Sequence, residues 1–164
     1  MVKSLISENY PELLETEVTV RCLYAHAARD KDGNPKGPAL KFGNYPAAAI
    51  IRVNSTKCRI QGKRDCTIEI DGDDWESLSE QERVALLDHE LFHLEVKRTK
   101  RRKNGSGGEI KTDSLGRPKL GCRQHDFQVG GFDTIVKRHK TASLEYQSQV
   151  NLAKRFHQQE FNWG

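Results

Sequence analysis

The chain has 164 residues, enough for one domain with a substantial core and too few for two full ones. Its 27 basic and 23 acidic residues leave a small positive surplus, and no apolar run reaches the ~18 residues of a membrane span, which excludes a helical membrane protein. The opening Met1-Val2-Lys3-Ser4-Leu5-Ile6 has no long apolar segment and no cleavage site, so a cytoplasmic location is expected, with Cys22, Cys58, Cys66 and Cys122 as free thiols. Cys58 and Cys66 stand too far apart in sequence for an ordinary structural zinc pair.

Residues 1–15 read as a loose start followed by a short helix or turn around Pro11. Val18 to His26 is rich in β-branched and aromatic residues and predicts a strand, a short helix over its alanines being the alternative, with His26 a structural histidine. Asp30 to Pro38 is a dense turn cluster and therefore a surface loop. A strand over Ala48–Asn54, a polar connection from Lys57 to Arg64 and an alternating strand over Cys66–Asp71 follow. Asp71-Gly72-Asp73-Asp74 lacks the later ligands of a calcium loop and reads as a turn.

Ser79-Glu80-Gln81-Glu82 then forms a capping-box pattern ahead of an amphipathic run. Val84, Leu87, Leu91 and Leu94 recur at steps of three and four and predict one core-facing stripe on a helix. That helix carries Asp88-His89-Glu90-Leu91-Phe92-His93-Leu94. Positions i and i+4 share a helix face, so the imidazoles of His89 and His93 can converge on one small cation. Glu90 lies within reach of a water at that cation without having to ligate it, the position of a general base.

Beyond the helix, Lys97 to Lys103 holds six basic residues in seven, and Asn104-Gly105-Ser106-Gly107-Gly108 completes a flexible basic loop, 97–108. Its two readings are contact with nucleic acid or an acidic partner, and a solvated insertion. Ile110 to Leu120 predicts a hairpin turning at Asp113–Gly116, Val129 to His139 a further helix, and 141–163 a C-terminal helix without evident chemistry.

A catalytic zinc takes three protein ligands and keeps one position open. His125, carried back across the hairpin, is the best third ligand, with Asp126 the runner-up and Glu95, Glu109 and His139 further eligible groups. Glu95 points off the metal face, and the segment after His93 lacks the glycine and histidine of the metzincin pattern. Arg123, His139 and Tyr146 are eligible as transition-state donors.

With HELFH on a capped helix, CTIEIDGDDW before it and GRPKLGCRQHDF after it, the chain resembles the phage metallopeptidase family over roughly residues 40–139. The resemblance implies an α+β, zincin-like (minimal gluzincin-type) domain with a short mixed sheet packed on the active helix, a zinc held by His89, His93 and His125, and Glu90 as base. A more distant likeness is to SprT-like proteases, whose paired-cysteine zinc ribbon is absent here. The ImmA-like proteases, which act on phage repressors, are a loose parallel on the motif alone. The expected organisation is a single domain over 1–164, with its core at about 18–139. The expected function is a phage- or prophage-encoded zinc metallopeptidase acting on protein or peptide substrates in the host cytoplasm, with Thr67–Ile70 as the edge strand that receives an extended substrate. Hydrolysis of a non-peptide amide is a third possibility. The competing reading is a nucleic-acid or protein binding module with a structural metal and Lys97–Lys103 as contact arm.

Overall fold

The N-terminal segment is helical rather than loose. In the computed structural model, which describes residues 1–100, 107–125 and 131–160 (backbone alone at 152–153 and 155–160), α1 (Val2–Asn9) and α2 (Pro11–Glu15) meet at Tyr10. Pro11 begins α2, where its missing N–H costs nothing. Leu5, Ile6 and Leu13 are buried in the main core, which is why these residues order into helices.

β1 (Val20–Ala25) is followed by a hairpin of two-residue strands, β2 (Lys41–Phe42) and β3 (Tyr45–Pro46), and then by β4 (Ala49–Val53). The polar connection contains a short helix, α3 (Thr56–Ile60), because Ser55 caps it by accepting the amide of Cys58. β5 (Cys66–Asp71) lies between β1, to which it is parallel, and β4, to which it is antiparallel, so the sheet is mixed with order β1-β5-β4. The expectation of Thr67–Ile70 as the receiving edge is corrected here, since both sides of β5 are paired and β4 is the edge nearest the active helix. Cys66, Ile68 and Ile70 are each no more than 1% exposed, as a central strand requires. The Asp71 segment is a helix start rather than a turn, for the Asp71 carboxylate accepts the amides of Asp73 and Asp74 at the head of α4 (Gly72–Ser77).

α5 (Glu80–Phe92) begins at the complete Ser79/Glu82 capping box and buries Leu86, Leu87 and Leu91 against the sheet. The helix ends two residues earlier than its apolar stripe implies. His93 is its C-cap, and Leu94 belongs to β6 (Leu94–Val96), which pairs antiparallel with β7 (Leu120–Cys122). The hairpin expected over Ile110–Leu120 is present in short form, with Thr112 bridging Pro118, the Lys119 N–H donating to the Lys111 carbonyl and the turn at Asp113–Gly116 closed by the Gly116 N–H donating to the Asp113 carbonyl, and Ile110 also bridges Arg98. The chain then forms α6 (Asp133–His139), a 3-10 turn (Lys140–Ala142) and α7 (Leu144–Glu160). All four cysteines are free thiols. Among the described residues no helix is long and apolar enough to cross a membrane.

Candidate metal centre

His89 stands in the last turn of α5 and His93 caps that turn, so the helix presents both imidazoles at its C-terminal end. β6 then turns the chain away, β7 brings it back, and the residues just past β7 place His125 beside them. One ligand atom from each of the three histidines lies within 4.8 Å of the others, an arrangement that could hold a metal ion. Asp126 and residues 101–103 of the basic run lie outside the described residues.

The rings of His89 and His93 are each aimed by their other nitrogen. Glu145 of α7, 5% exposed, approaches His89 Nδ1 to 2.5 Å through its Oε1, and the Arg123 carbonyl oxygen lies 2.8 Å from His93 Nδ1. These contacts turn Nε2 of both rings inward, and the His89 and His125 Nε2 atoms stand 3.1 Å apart. Phe132, fully buried, packs its ring 4.8 to 5.1 Å from all three imidazoles and walls off the cluster from behind. Burial, added to the charge of the neighbouring histidines and Arg123, lowers His93 from 6.5 to about 4, which keeps it a neutral donor. Neutral imidazole nitrogens with fixed partners are the donors a divalent ion such as zinc takes, so these residues fit such a group.

Glu90 is 4% exposed and its Oε2 accepts the Ile51 amide of β4 at 2.7 Å. That amide is available because of the ladder register. Asn54 donates to the Asp65 carbonyl and Asp71 to the Ala48 carbonyl, so Ala49, Ile51 and Val53, at the alternate positions, point their backbone groups away from β5. Burial raises the Glu90 carboxyl above the usual carboxylate range, against the opposing pull of His89 and the Ile51 amide. Burial acts to raise Glu145 and is the largest single influence on it, but the bond to His89, the charge of that ring and backbone hydrogen bonds together hold the carboxyl below its ordinary value.

Two cavities meet at the histidines. A cleft of about 680 Å³ runs under the β2–β3 hairpin, lined by Phe42, Tyr45, Ile50, His93 and Cys122, and a smaller one of about 250 Å³ lies toward α7, lined by Ala85, Leu86, Leu144 and Glu145. Both are lined by Ala49, His89, Glu90 and His125, which places those residues at the junction.

The other eligible groups are elsewhere. His139 Nε2 lies 2.6 Å from the Asp88 carboxylate on the back of α5, and Glu95 pairs with Lys97. Arg123 lines the cleft with its guanidinium 4.5 Å from the Phe92 ring, whereas Glu109 and Tyr146 line neither cavity. Reading the sequence missed Glu145 and Phe132, and also Tyr10 and Arg138, which with His139 hold Asp88. Only Glu145 left a trace, as an acid in the first turn of a helix that follows Ser143.

A family model described as Putative phage metallopeptidase matches residues 1–156, beyond the stretch that carries the motifs at both ends. No curated protein and no solved structure matches the chain.

Proposed function

The chain belongs to the Putative phage metallopeptidase family, and on that premise we propose that it is a phage-encoded, HExxH-type zinc peptidase with a minimal zincin-like architecture. His89, His93 and His125 would hold the ion, each through one ring nitrogen. A zinc bound there supplies Lewis acidity, polarising the scissile carbonyl and bringing its water near neutral pKa.

The chain's own residues do the rest. Glu90 takes a proton from the attacking water as the oxygen bonds to the carbonyl carbon, and delivers it to the amine nitrogen as the C–N bond breaks. The Ile51 amide fixes one oxygen of that carboxylate, so the other faces the cleft in a constant orientation. Burial makes the carboxyl a stronger base than an exposed glutamate. β4 takes the role expected of Thr67–Ile70, its outward Ala49 groups pairing with an extended substrate that spans the two cavities.

The observation that carries this reading is Glu90 at the junction of two cavities, beside three imidazoles aimed at one point. A module with a purely structural metal has no use for that carboxylate. Elemental analysis of protein purified without added metal tests both: about one zinc per chain in the wild type, reduced in His125→Ala and retained in Glu90→Gln, is expected. A wild type that binds no metal even when zinc is supplied overturns the reading, and so does a Glu90→Gln variant that cleaves a peptide library at the wild-type rate.

A further inference from the structure

A second charged cavity lies away from the histidines. It has a volume of about 670 Å³ and is lined by Ser55, Thr56, Arg59, Lys97, Lys111 and Lys119. The three lysines come from three chain segments that meet here. Lys97 donates its backbone N–H to the Lys119 carbonyl at 2.8 Å, Lys119 to Lys111 at 2.7 Å and Lys111 back to Lys97 at 2.8 Å, a closed ring of three hydrogen bonds. Each lysine is thus the backbone neighbour of the other two, and all three side chains are exposed.

Like charges on paired positions destabilise a sheet, so three adjacent ammoniums are a cost that folding alone does not explain. Little in the fold offsets it. Lys97 pairs with Glu95 across Gly121, but among the described residues no carboxylate pairs with Lys111 or Lys119. Asp113, the acid on the cavity wall, is already engaged by Arg59 at 3.1 Å. The cavity therefore has room and unneutralised positive charge.

We propose that this lysine junction binds the phosphodiester backbone of a nucleic acid. A compact anion would need only the three ammoniums, whereas here the exposed Lys100 continues the charge along the chain beyond Lys97, the Arg98 between them being paired with Glu12 at 2.7 Å. Lys97, Arg98 and Lys100 open a run, Lys97–Lys103, without whose six basic residues the acidic residues of the sequence outnumber the basic ones. Successive charges along a line match the regular phosphate spacing of a strand. The site is independent of the metal centre and of the peptidase reading.

The test is fluorescence anisotropy with a labelled DNA duplex of about 20 base pairs, titrated at several salt concentrations. The wild type binds at about 50 mM salt and weakens as salt rises, while Lys111→Ala/Lys119→Ala binds on the order of 100-fold more weakly there and loses about 2 from the logarithmic salt slope. Lys31→Ala/Lys36→Ala, in the exposed turn, binds as the wild type does, and all variants keep wild-type metal content and melting temperature. The proposal is overturned if the duplex does not bind at low salt or if the Lys111/Lys119 variant keeps the wild-type slope. It is also overturned if inorganic phosphate or polyglutamate, at matched charge, displaces the probe as well as unlabelled duplex does.

Discussion

Asp88 and Glu90 are two acids two residues apart on one helix, both almost wholly buried, and they serve opposite ends. The Asp88 carboxylate receives the Tyr10 hydroxyl at 2.6 Å, Arg138 Nη1 at 2.5 Å and the His139 ring at 2.6 Å. Its capacity is filled by groups from α6 and from the joint between α1 and α2, so it ties the back of α5 to the rest of the chain. Burial and the adjacent carboxylate push the Tyr10 hydroxyl up, which keeps it a donor. Glu90 has a single partner among the described residues, the Ile51 amide, and otherwise faces the junction of the cavities. Burial alone thus does not mark a catalytic acid. What separates the two is whether the buried carboxylate is filled by hydrogen-bond partners or left facing a cavity.

That difference is breakable by paired substitutions. Asp88→Asn leaves Arg138 without its carboxylate and is expected to cost about 3 kcal/mol or more in urea unfolding, since removing one partner of a buried ion pair strands the other. Glu90→Gln is expected to leave unfolding unchanged while lowering turnover by about 10²–10⁴-fold, the contribution of a positioned base. Equal destabilisation by both would show that the two acids are structural alike.

Glu145 sharpens the contrast from the other side, because it is saturated yet serves the site. Glu145→Ala is expected to weaken zinc binding by about 10–100-fold, read by competition with a chromophoric chelator, through loss of the acceptor that orients His89. An unchanged affinity would show that Phe132 alone sets the ring.

Much of the centre was legible because it is local. HELFH depends on helix geometry, and the capping box needs four consecutive residues, so both are written in a short window. His125 was reachable by chemistry, as a third imidazole across a turn. The partners of the site were not legible, since Tyr10 lies 78 residues from Asp88 and Glu145 lies 56 from His89, and no periodicity links them. Thr67–Ile70 has the pattern of a strand, but a strand does not state whether one or both of its edges are paired. The helices at Ser55 and Asp71 were legible in principle, for each begins at a strong N-cap residue. The shortness of these helices hid them, as five or six residues carry little amphipathic signal.

Asp65 repeats the Asp88 pattern at the far end of β5, and predicts a pH dependence. It is buried, and although burial acts to raise its carboxyl, the bonds from Arg117 and Thr19 prevail and hold it below the ordinary 3.8. A carboxyl lower in the folded chain than in the unfolded one adds stability that is complete above the unfolded value and is lost as pH falls through the folded one. Stability of the metal-free protein should therefore fall below about pH 4, and Arg117→Met should flatten that fall, as followed by circular dichroism. A fall of unaltered steepness in Arg117→Met would assign the acid sensitivity elsewhere.

The smallest effect expected is at the head of α5, where cap and site are joined by one residue. Ser79→Ala removes the acceptor for the Glu82 amide and should cost about 1 kcal/mol of unfolding free energy, with zinc affinity intact. Glu82 does more, because its Oε2 receives the Ser79 amide at 2.9 Å while its Oε1 receives Gln147 Nε2 of α7 at 2.9 Å. Two residues before Gln147, the same helix carries the carboxylate that aims His89. Glu82→Ala should therefore cost at least as much stability as Ser79→Ala and, unlike it, loosen zinc by releasing α7 from α5. If zinc binding is indifferent to both variants, α7 is held in place by its packing, and the cap belongs with Asp88 to the frame of the helix rather than to its chemistry.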